Sequence, residues 1–387
     1  MRPELPPGTL TWLEIDLAAL AGNVRALRAR LAGDARLGAV VKSNAYGHGV
    51  RLVAPAALRA GADVLAVGNL AEGLELRELV GPETPVLVVG HVPAEGFPAA
   101  VAAGLELTLY DPEAVPALAA AAREAGRPAR VHLKVETGTN RQGLREDELL
   151  ALARRIAGAE GVEIAGVGTH FADIEDTTDH SFAREQLARF RRAVARLEAE
   201  GIRPGLRHTA CSAAVLLFPE THLDLVRAGI SLYGLWPSRE TLVSARERGL
   251  GEIELRPAMT WKARVAQVKD VPAGEYVGYG RTYRATRPMR LAVLPVGYYE
   301  GYPRALSGRA HVLVRGRRAP VVGRVCMNMT MVDVTDVPGA AAGDEVVLLG
   351  RSGGEELRAE DLAAWAGTIH YEIVSRIHPA LPRVPVS

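Results

Sequence analysis

Apolar and polar positions follow two rhythms along the chain. From Ala39 to Ile230, short apolar runs alternate with longer stretches of helical spacing. The runs are Ala39–Val41, Val64–Val67, Val86–Val89, Leu105–Leu109, Val131–Val135, Ile164–Val167, His208–Cys211 and Leu225–Ile230. Each is short, apolar and bounded by turn residues, the pattern of a buried strand. Between them, residues 52–60, 70–79, 94–103, 112–125, 146–159, 181–200 and 213–218 read as helices. Gly61, Gly104, Gly126 and Gly201 stand where a glycine can close a helix. Ahead of this series, Thr9–Ile15 alternates weakly as a strand, and Asp16 stands in N-cap position for a helix over 17–31. Eight strands alternating with helices over about 230 residues match a (β/α)8 barrel better than a doubly wound open sheet.

Past Leu250 the rhythm changes. Residues 263–268, 291–294, 310–314, 331–334 and 345–349 read as strands between glycine and proline turns, with one short helix near 361–366. The predicted organisation is an α/β barrel of TIM type over 15–245, followed by a mostly β domain over 246–387 that takes in residues 1–14.

Composition narrows the function. The chain has 387 residues, 48% hydrophobic, with a formal net charge of +1. So small a charge argues against nucleic acid as a partner. No apolar run approaches the about 20 residues that span a membrane. The proline-broken start lacks a secretory apolar region, so a cytoplasmic location is expected. Two cysteines, Cys211 and Cys326, make no disulfide framework and no metal-ligand spacing.

Barrel enzymes carry their chemistry at the C-terminal ends of the strands. There the sequence places Lys42 and, beyond it, Tyr46; Lys134 with Arg141 in the following loop; His170; Ser212; and Arg227 followed by Gly229 and Ile230. Each has an ordinary reading. Lys42 can send its ammonium to water, His170 can be a core histidine, Arg227 a structural ion pair, and Ser212 a helix cap. Their convergence on strand ends favours a site. A partly buried lysine can lose its proton and attack carbonyls. Backbone N–H groups after the seventh and eighth strands are the usual phosphate cradle of this fold. Lysine, phosphate cradle and arginine together suggest pyridoxal phosphate.

Six segments then carry a family resemblance. They are Val41-Lys42-Ser43-Asn44-Ala45-Tyr46-Gly47-His48-Gly49, Thr169-His170-Phe171-Ala172, Val226-Arg227-Ala228-Gly229-Ile230-Ser231-Leu232-Tyr233-Gly234, Val277-Gly278-Tyr279-Gly280-Arg281-Thr282-Tyr283, Pro295-Val296-Gly297-Tyr298 and Val322-Gly323-Arg324-Val325-Cys326-Met327. In this order and over essentially the whole chain, they resemble bacterial alanine racemase, a pyridoxal 5'-phosphate enzyme that interconverts L- and D-alanine.

The resemblance implies a role for each residue. Lys42 would carry the cofactor and act as one base. Tyr279, from the partner subunit of a head-to-tail homodimer, would be the opposite base. Tyr46, Ser212, Gly229 and Ile230 would hold the phosphate. Arg227 would bond the pyridine nitrogen, and His170 would pack on the ring and link to Arg227. Arg141 would meet the phenolic oxygen and the substrate carboxylate, with the backbone N–H of Met327. Tyr298 would line the substrate channel. Lys134 matches a position where the family often carries a carbamylated lysine. The implied role is D-alanine supply for peptidoglycan.

Departures from the family's usual pattern are Cys211 where asparagine is expected, Glu136 for aspartate, Thr139 for methionine and Asn328 for aspartate. The rival readings are a racemase of broader specificity, and a same-fold amino-acid decarboxylase, which pairs the pyridine nitrogen with a carboxylate and commonly uses a cysteine acid. A non-catalytic cofactor carrier resembles the barrel alone.

Overall fold

The computed structural model describes residues 5–250 and 253–386. They form two compact units: residues 19–45 with 50–257, and residues 5–18 with 46–49 and 258–386.

The first strand, β1 (Thr11–Asp16), belongs to the second of these units. The barrel follows as β2 (Arg36–Val40), β3 (Val64–Val67), β4 (Val86–Val88), β5 (Glu106–Leu109), β6 (Ala129–Lys134), β7 (Val162–Gly168), β8 (Leu206–His208) and β9 (Leu225–Ala228). All pair in parallel in the order β8-β7-β6-β5-β4-β3-β2-β9. Two backbone bonds draw the edges together, Asp224 N–H to Arg207 O at 3.0 Å and Arg227 N–H to Ala210 O at 2.9 Å. The predicted eight-stranded parallel barrel is therefore present and nearly closed.

Parallel strands between helices are buried on both faces, which is why they read as continuous apolar runs. Leu37, Ala39, Leu65, Leu87, Val131, Val167 and Val226 are all buried. The outer helices cover them with one apolar stripe. Ser181–Ala199 buries Ala183, Leu187, Phe190, Val194 and Leu197, steps of three and four that keep to one face. Gly126 closes the helix Val115–Ala125 at φ 62°, where its N–H reaches back to Ala122 and Arg123.

The β unit continues with β10 (Met259–Arg264), β11 (Gln267–Val271), β12 (Tyr276–Val277), β13 (Tyr283–Arg284), β14 (Met289–Leu294), β15 (His311–Val314), β16 (Arg317–Pro320), β17 (Thr330–Asp333), β18 (Glu345–Ser352), β19 (Glu355–Leu357) and β20 (Arg383–Val386). One sheet runs β16-β15-β18-β10-β1-β20, with β19 on β18. A second sheet is β11-β14-β17, and β12 pairs with β13. Trp12, Trp261 and Tyr302 fill the core of this unit, with Trp261 edge-on to Tyr302 at 5.9 Å. Lys262 lies between Glu14 and Glu345, 2.9 Å from each.

Some elements differ from the sequence expectation. Asp16 is the last residue of β1, where its N–H goes to Ala258 O, and directly precedes the helix Leu17–Arg28, which ends three residues short of the expected Leu31. The run 263–268 splits between β10 and β11, in different sheets. A second late helix, His370–Ser375, follows Ala359–Ala366. Among the described residues, no helix is long and apolar enough to cross a membrane, and no cluster of side chains suits a metal ion.

Candidate active site

The chain leaves β2 through an unusual turn. Ser43, Asn44, Ala45 and Tyr46 all have φ between 52° and 54°, the left-handed region that non-glycine residues avoid. Hydrogen bonds hold it there. Asn44 Oδ1 accepts from Val50 N–H at 2.9 Å, and Glu72 Oε1 accepts from Ser43 N–H at 2.7 Å. The other oxygen of Glu72 accepts from Gly68 N–H at 2.7 Å, tying the ends of β2 and β3 together. Lys42 opens this turn. Burial, then the nearby charge of Arg141, lower its pKa, and Glu72 opposes them.

The same end of the barrel collects further cations. Burial, with Arg227 and Arg141, pushes the Lys134 ammonium down to about 7. Arg227 is 8% exposed, and burial pushes it down to about 10, so it stays protonated at neutral pH. Its guanidinium donates to His208 Nδ1, to Thr169 O at 2.7 Å and, at a longer 3.4 Å, to His170 Nδ1. Burial, followed by Arg227, Lys134, Arg141 and Lys42, holds His170 well below its ordinary pKa, so the ring is neutral. Two carboxylates, Glu72 and Glu136, are the anions acting on these lysines.

The loops are anchored from behind. Thr139 Oγ1 donates to His170 O at 2.8 Å, so the threonine at this departure position fixes the histidine loop. Gln186 donates to the same carbonyl at 3.2 Å and accepts from Ala172 N–H at 2.9 Å. Ser212 is the first residue of the helix Ser212–Leu217 and not its cap, a position held by Cys211. Ser212 Oγ accepts from Gly229 N–H at 2.9 Å and Ser231 N–H at 3.4 Å, which leaves its own proton to donate. Gly229 thus gives its N–H to Ser212, and Ile230 opens the turn Ile230–Tyr233. Burial pushes the Cys211 thiol up to about 11, so it is no nucleophile at neutral pH.

The β unit holds a different group. Tyr279, Tyr298, Cys326, Met327 and Asn328 line one open concavity with Arg304 and Arg324. Gly297 makes the close approach that shapes it: a Cβ there would lie 2.2 Å from Cys326 O and 2.5 Å from Met327 O. Asn328 donates to Glu300 Oε1 at 2.7 Å, while Glu300 Oε2 accepts from Gly297 N–H at 2.8 Å. An aspartate at 328 would face that carboxylate, so the amide suits this chain. Tyr46 is counted in the β unit, its ring 6.2 Å from that of Tyr371.

The structure therefore brings together Lys42, Lys134, Arg141, His170 and Arg227, sets Ser212 against Gly229, and gathers Tyr279, Tyr298 and Met327 separately. Sequence reasoning missed Glu72, Glu106, His132 and His208. Lysine scarcity was a usable signal: the chain has four lysines, and Lys42 and Lys134 are two of them.

Comparison with known proteins agrees with this geometry. Residues 15–237 match the alanine racemase N-terminal domain, and residues 258–385 match the alanine racemase C-terminal domain. An alanine racemase of Symbiobacterium thermophilum is 48% identical over 373 residues, 96% of each chain. The solved alanine racemase of D-cycloserine producing Streptomyces lavendulae superposes with a TM-score of 0.90 at 43% identity, covering 99% of this chain and 98% of that one. That of Bacillus anthracis with bound L-Ala-P gives 0.91 at 35% identity, over 99% and 96%. The chain belongs to the alanine racemase family, whose members are pyridoxal-phosphate-dependent isomerases.

Proposed function

We propose that the chain interconverts L- and D-alanine by moving the α-proton between two bases, Lys42 of one protomer and the partner subunit's Tyr279, in a cytoplasmic homodimer that supplies D-alanine for peptidoglycan. The observation that carries the reading is the cation cluster at the barrel mouth, where Lys42, Lys134, Arg141 and Arg227 outnumber Glu72 and Glu136. That excess suits a ligand with a phosphate and a phenolate, and an amine with a lowered pKa suits an aldehyde. Pyridoxal phosphate fits both. When bound, it supplies an electron-withdrawing ring that acidifies the α-proton of the joined amino acid.

The side chains then divide the work. The Ser212 hydroxyl, Tyr46 and the backbone N–H of Ile230 hold the phosphate, and Gly229 acts through the bond its own N–H gives Ser212. Arg227 donates to the ring nitrogen; having no proton to give up, it leaves that nitrogen unprotonated. His170, neutral, packs against the ring. Arg141 and the partner subunit's Met327, through its backbone N–H, hold the substrate carboxylate; among the described residues that N–H donates to no protein acceptor. Tyr298 lines the channel. Lys42 Nζ holds or returns the proton on one face of the α-carbon and Tyr279 Oη on the other, so neither base has to cross. Lys134, half unprotonated near pH 7, can add to carbon dioxide with loss of a proton to solvent, giving a carbamate beside Arg141.

Arg227 at the position of the ring-nitrogen partner favours the racemase over the decarboxylase. The test is circular dichroism of L-alanine incubated with protein and pyridoxal phosphate in heavy water. Loss of optical activity with deuterium at the α-carbon is expected. Retained optical activity, with the cofactor's absorption band present, would overturn the reading.

A further inference from the structure

A buried chain of side chains crosses the barrel lumen and ends on Arg227. From β9, Arg227 Nη1 donates to His208 Nδ1 on β8. His208 Nε2 lies 2.9 Å from His132 Nδ1 on β6. His132 Nε2 lies 2.9 Å from Glu106 Oε2 on β5, whose other oxygen accepts from Arg130 Nε at 2.9 Å. In the sheet β7 stands between β6 and β8. The two imidazoles meet because β7 offers no side chain at this level. A Cβ at Gly166 would lie 2.4 Å from His132 Nδ1, and one at Gly168 would lie 2.1 Å from His208 Cε1.

The two ends fix the direction of every bond. A guanidinium only donates and a carboxylate only accepts. Burial works to raise the Glu106 pKa, but His132 and Arg130 outweigh it and hold the group below its ordinary value. Burial and then Arg227 keep His208 well below its ordinary pKa, hence neutral. With the ends set, His208 must accept at Nδ1 and donate from Nε2. His132 must do the same. Each contact then holds one proton, and the two opposite charges face each other through two polarisable rings.

We propose that Glu106 and His132 are positioning residues for the racemase reaction: they lock His208 as an acceptor and so hold the Arg227 guanidinium in place for the cofactor's ring nitrogen. This rests on the reading of Arg227 as the donor to that nitrogen. Glu106→Gln keeps the shape but adds a donor. Arg130 cannot change what it offers, whereas the His132 ring can by exchanging tautomer, so the amide oxygen stays with Arg130 and its NH2 turns to His132. Both tautomers then reverse, and His208 presents an N–H to Arg227.

The first measurement is 15N NMR of histidine-labelled protein without cofactor, with His132 and His208 assigned by substitution. Nε2–H tautomers at both are expected, reversing in Glu106→Gln; a cationic or Nδ1–H ring at either position in the unsubstituted protein would overturn the chain. The second measurement uses holoenzyme. Glu106→Gln should lower kcat by roughly ten- to a hundred-fold, the range seen when outer partners of a site are removed. KM should hold nearly constant while the cofactor absorption shifts. His132→Asn can still accept from His208 but cannot reach Glu106, and the double variant should lose no more than the worse single one. Additive losses, or a folded Glu106→Gln with unchanged kcat and absorption, would overturn the proposal. Should the unsubstituted protein fail to racemise alanine, the functional reading fails, and the tautomers still decide the chain.

Discussion

The two units treat their functional side chains in opposite ways. At the barrel mouth Arg227 is 8% exposed and its guanidinium is bonded to four neighbours, His208, Thr169, His170 and Thr209, and the loops around His170 are tied from behind by Thr139 and Gln186. In the β unit Tyr279 is 73% exposed, Met327 55% and Tyr298 43%, around an open concavity. Folding alone orders the first group. Among the described residues, none of its own unit shields the second, although a proton-transferring base works best where water is excluded. On the proposed reading, the barrel carries half a site that folding completes. On the proposed shared-site reading, the β unit carries half a site that association completes.

The strongest way to break this comparison is hybrid complementation. Lys42→Ala and Tyr279→Phe homodimers should each fall roughly 10²–10⁴-fold or more, since each lacks one proton-transfer group. In an equal mixture with subunit exchange, half the dimers are hybrids with one intact site of two, so about a quarter of the normal activity should return. Hybrids that form without recovery would place both bases on one chain. Within Tyr279→Phe itself, α-hydrogen exchange from one enantiomer should outlast exchange from the other; equal loss of both would count against two bases on opposite faces.

A smaller effect separates the packing of the units. Gly168→Ala drives a methyl into the His208 ring and should cost about 1–3 kcal/mol, as overpacked cores do. Gly354→Ala, with open space around it, should leave the thermal midpoint nearly unchanged. Equal midpoints for the two variants would mean the barrel lumen is looser than its glycines indicate.

The smallest effect is one of pH. The folded protein disfavours the Lys134 ammonium, so between about pH 7 and a lysine's ordinary value of 10.5 it binds fewer protons than the unfolded chain. Stability therefore rises with pH through that window. Lys134→Gln removes this dependence. In cofactor-free protein its unfolding midpoint should exceed the unsubstituted one most near pH 6, with the gap closing toward pH 9. A gap that widened with pH would reverse the sign assigned to Lys134.

The barrel was legible because its strands are apolar throughout and its helices keep their spacing, so local pattern and tertiary role agree. The ends of β2, β6 and β9 followed, and with them Lys42, Lys134 and Arg227. The lumen was not. A reading that seeks apolar runs passes over Glu106, His132 and His208 as interruptions, yet His132 and Lys134 are two apart on one strand, as are Gly166 and Gly168, and residues so spaced share a face. The lysines held another signal. Arginine fills nearly all the cationic positions, and lysine at 42 and 134 supplies what arginine cannot, an amine able to lose its proton. In the β unit the break between β10 and β11 was invisible locally. Val265 N–H bonds Asp344 O and Ala266 N–H bonds Val293 O, distant partners that no short window contains.

The left-handed turn after Lys42 makes the reactivity of that lysine conditional on folding. Four L-residues hold it at about 1–2 kcal/mol each, and the Glu72 clamp that steadies Ser43 comes from a helix 29 positions further on. In a nascent or heat-unfolded chain the turn relaxes, the burial that lowers the amine's pKa is gone, and Lys42 becomes an ordinary protonated side chain. On the proposed role of Lys42, capture of an aldehyde is thereby reserved for finished protein, a safeguard written into the backbone against trapping cofactor on chains that have yet to fold.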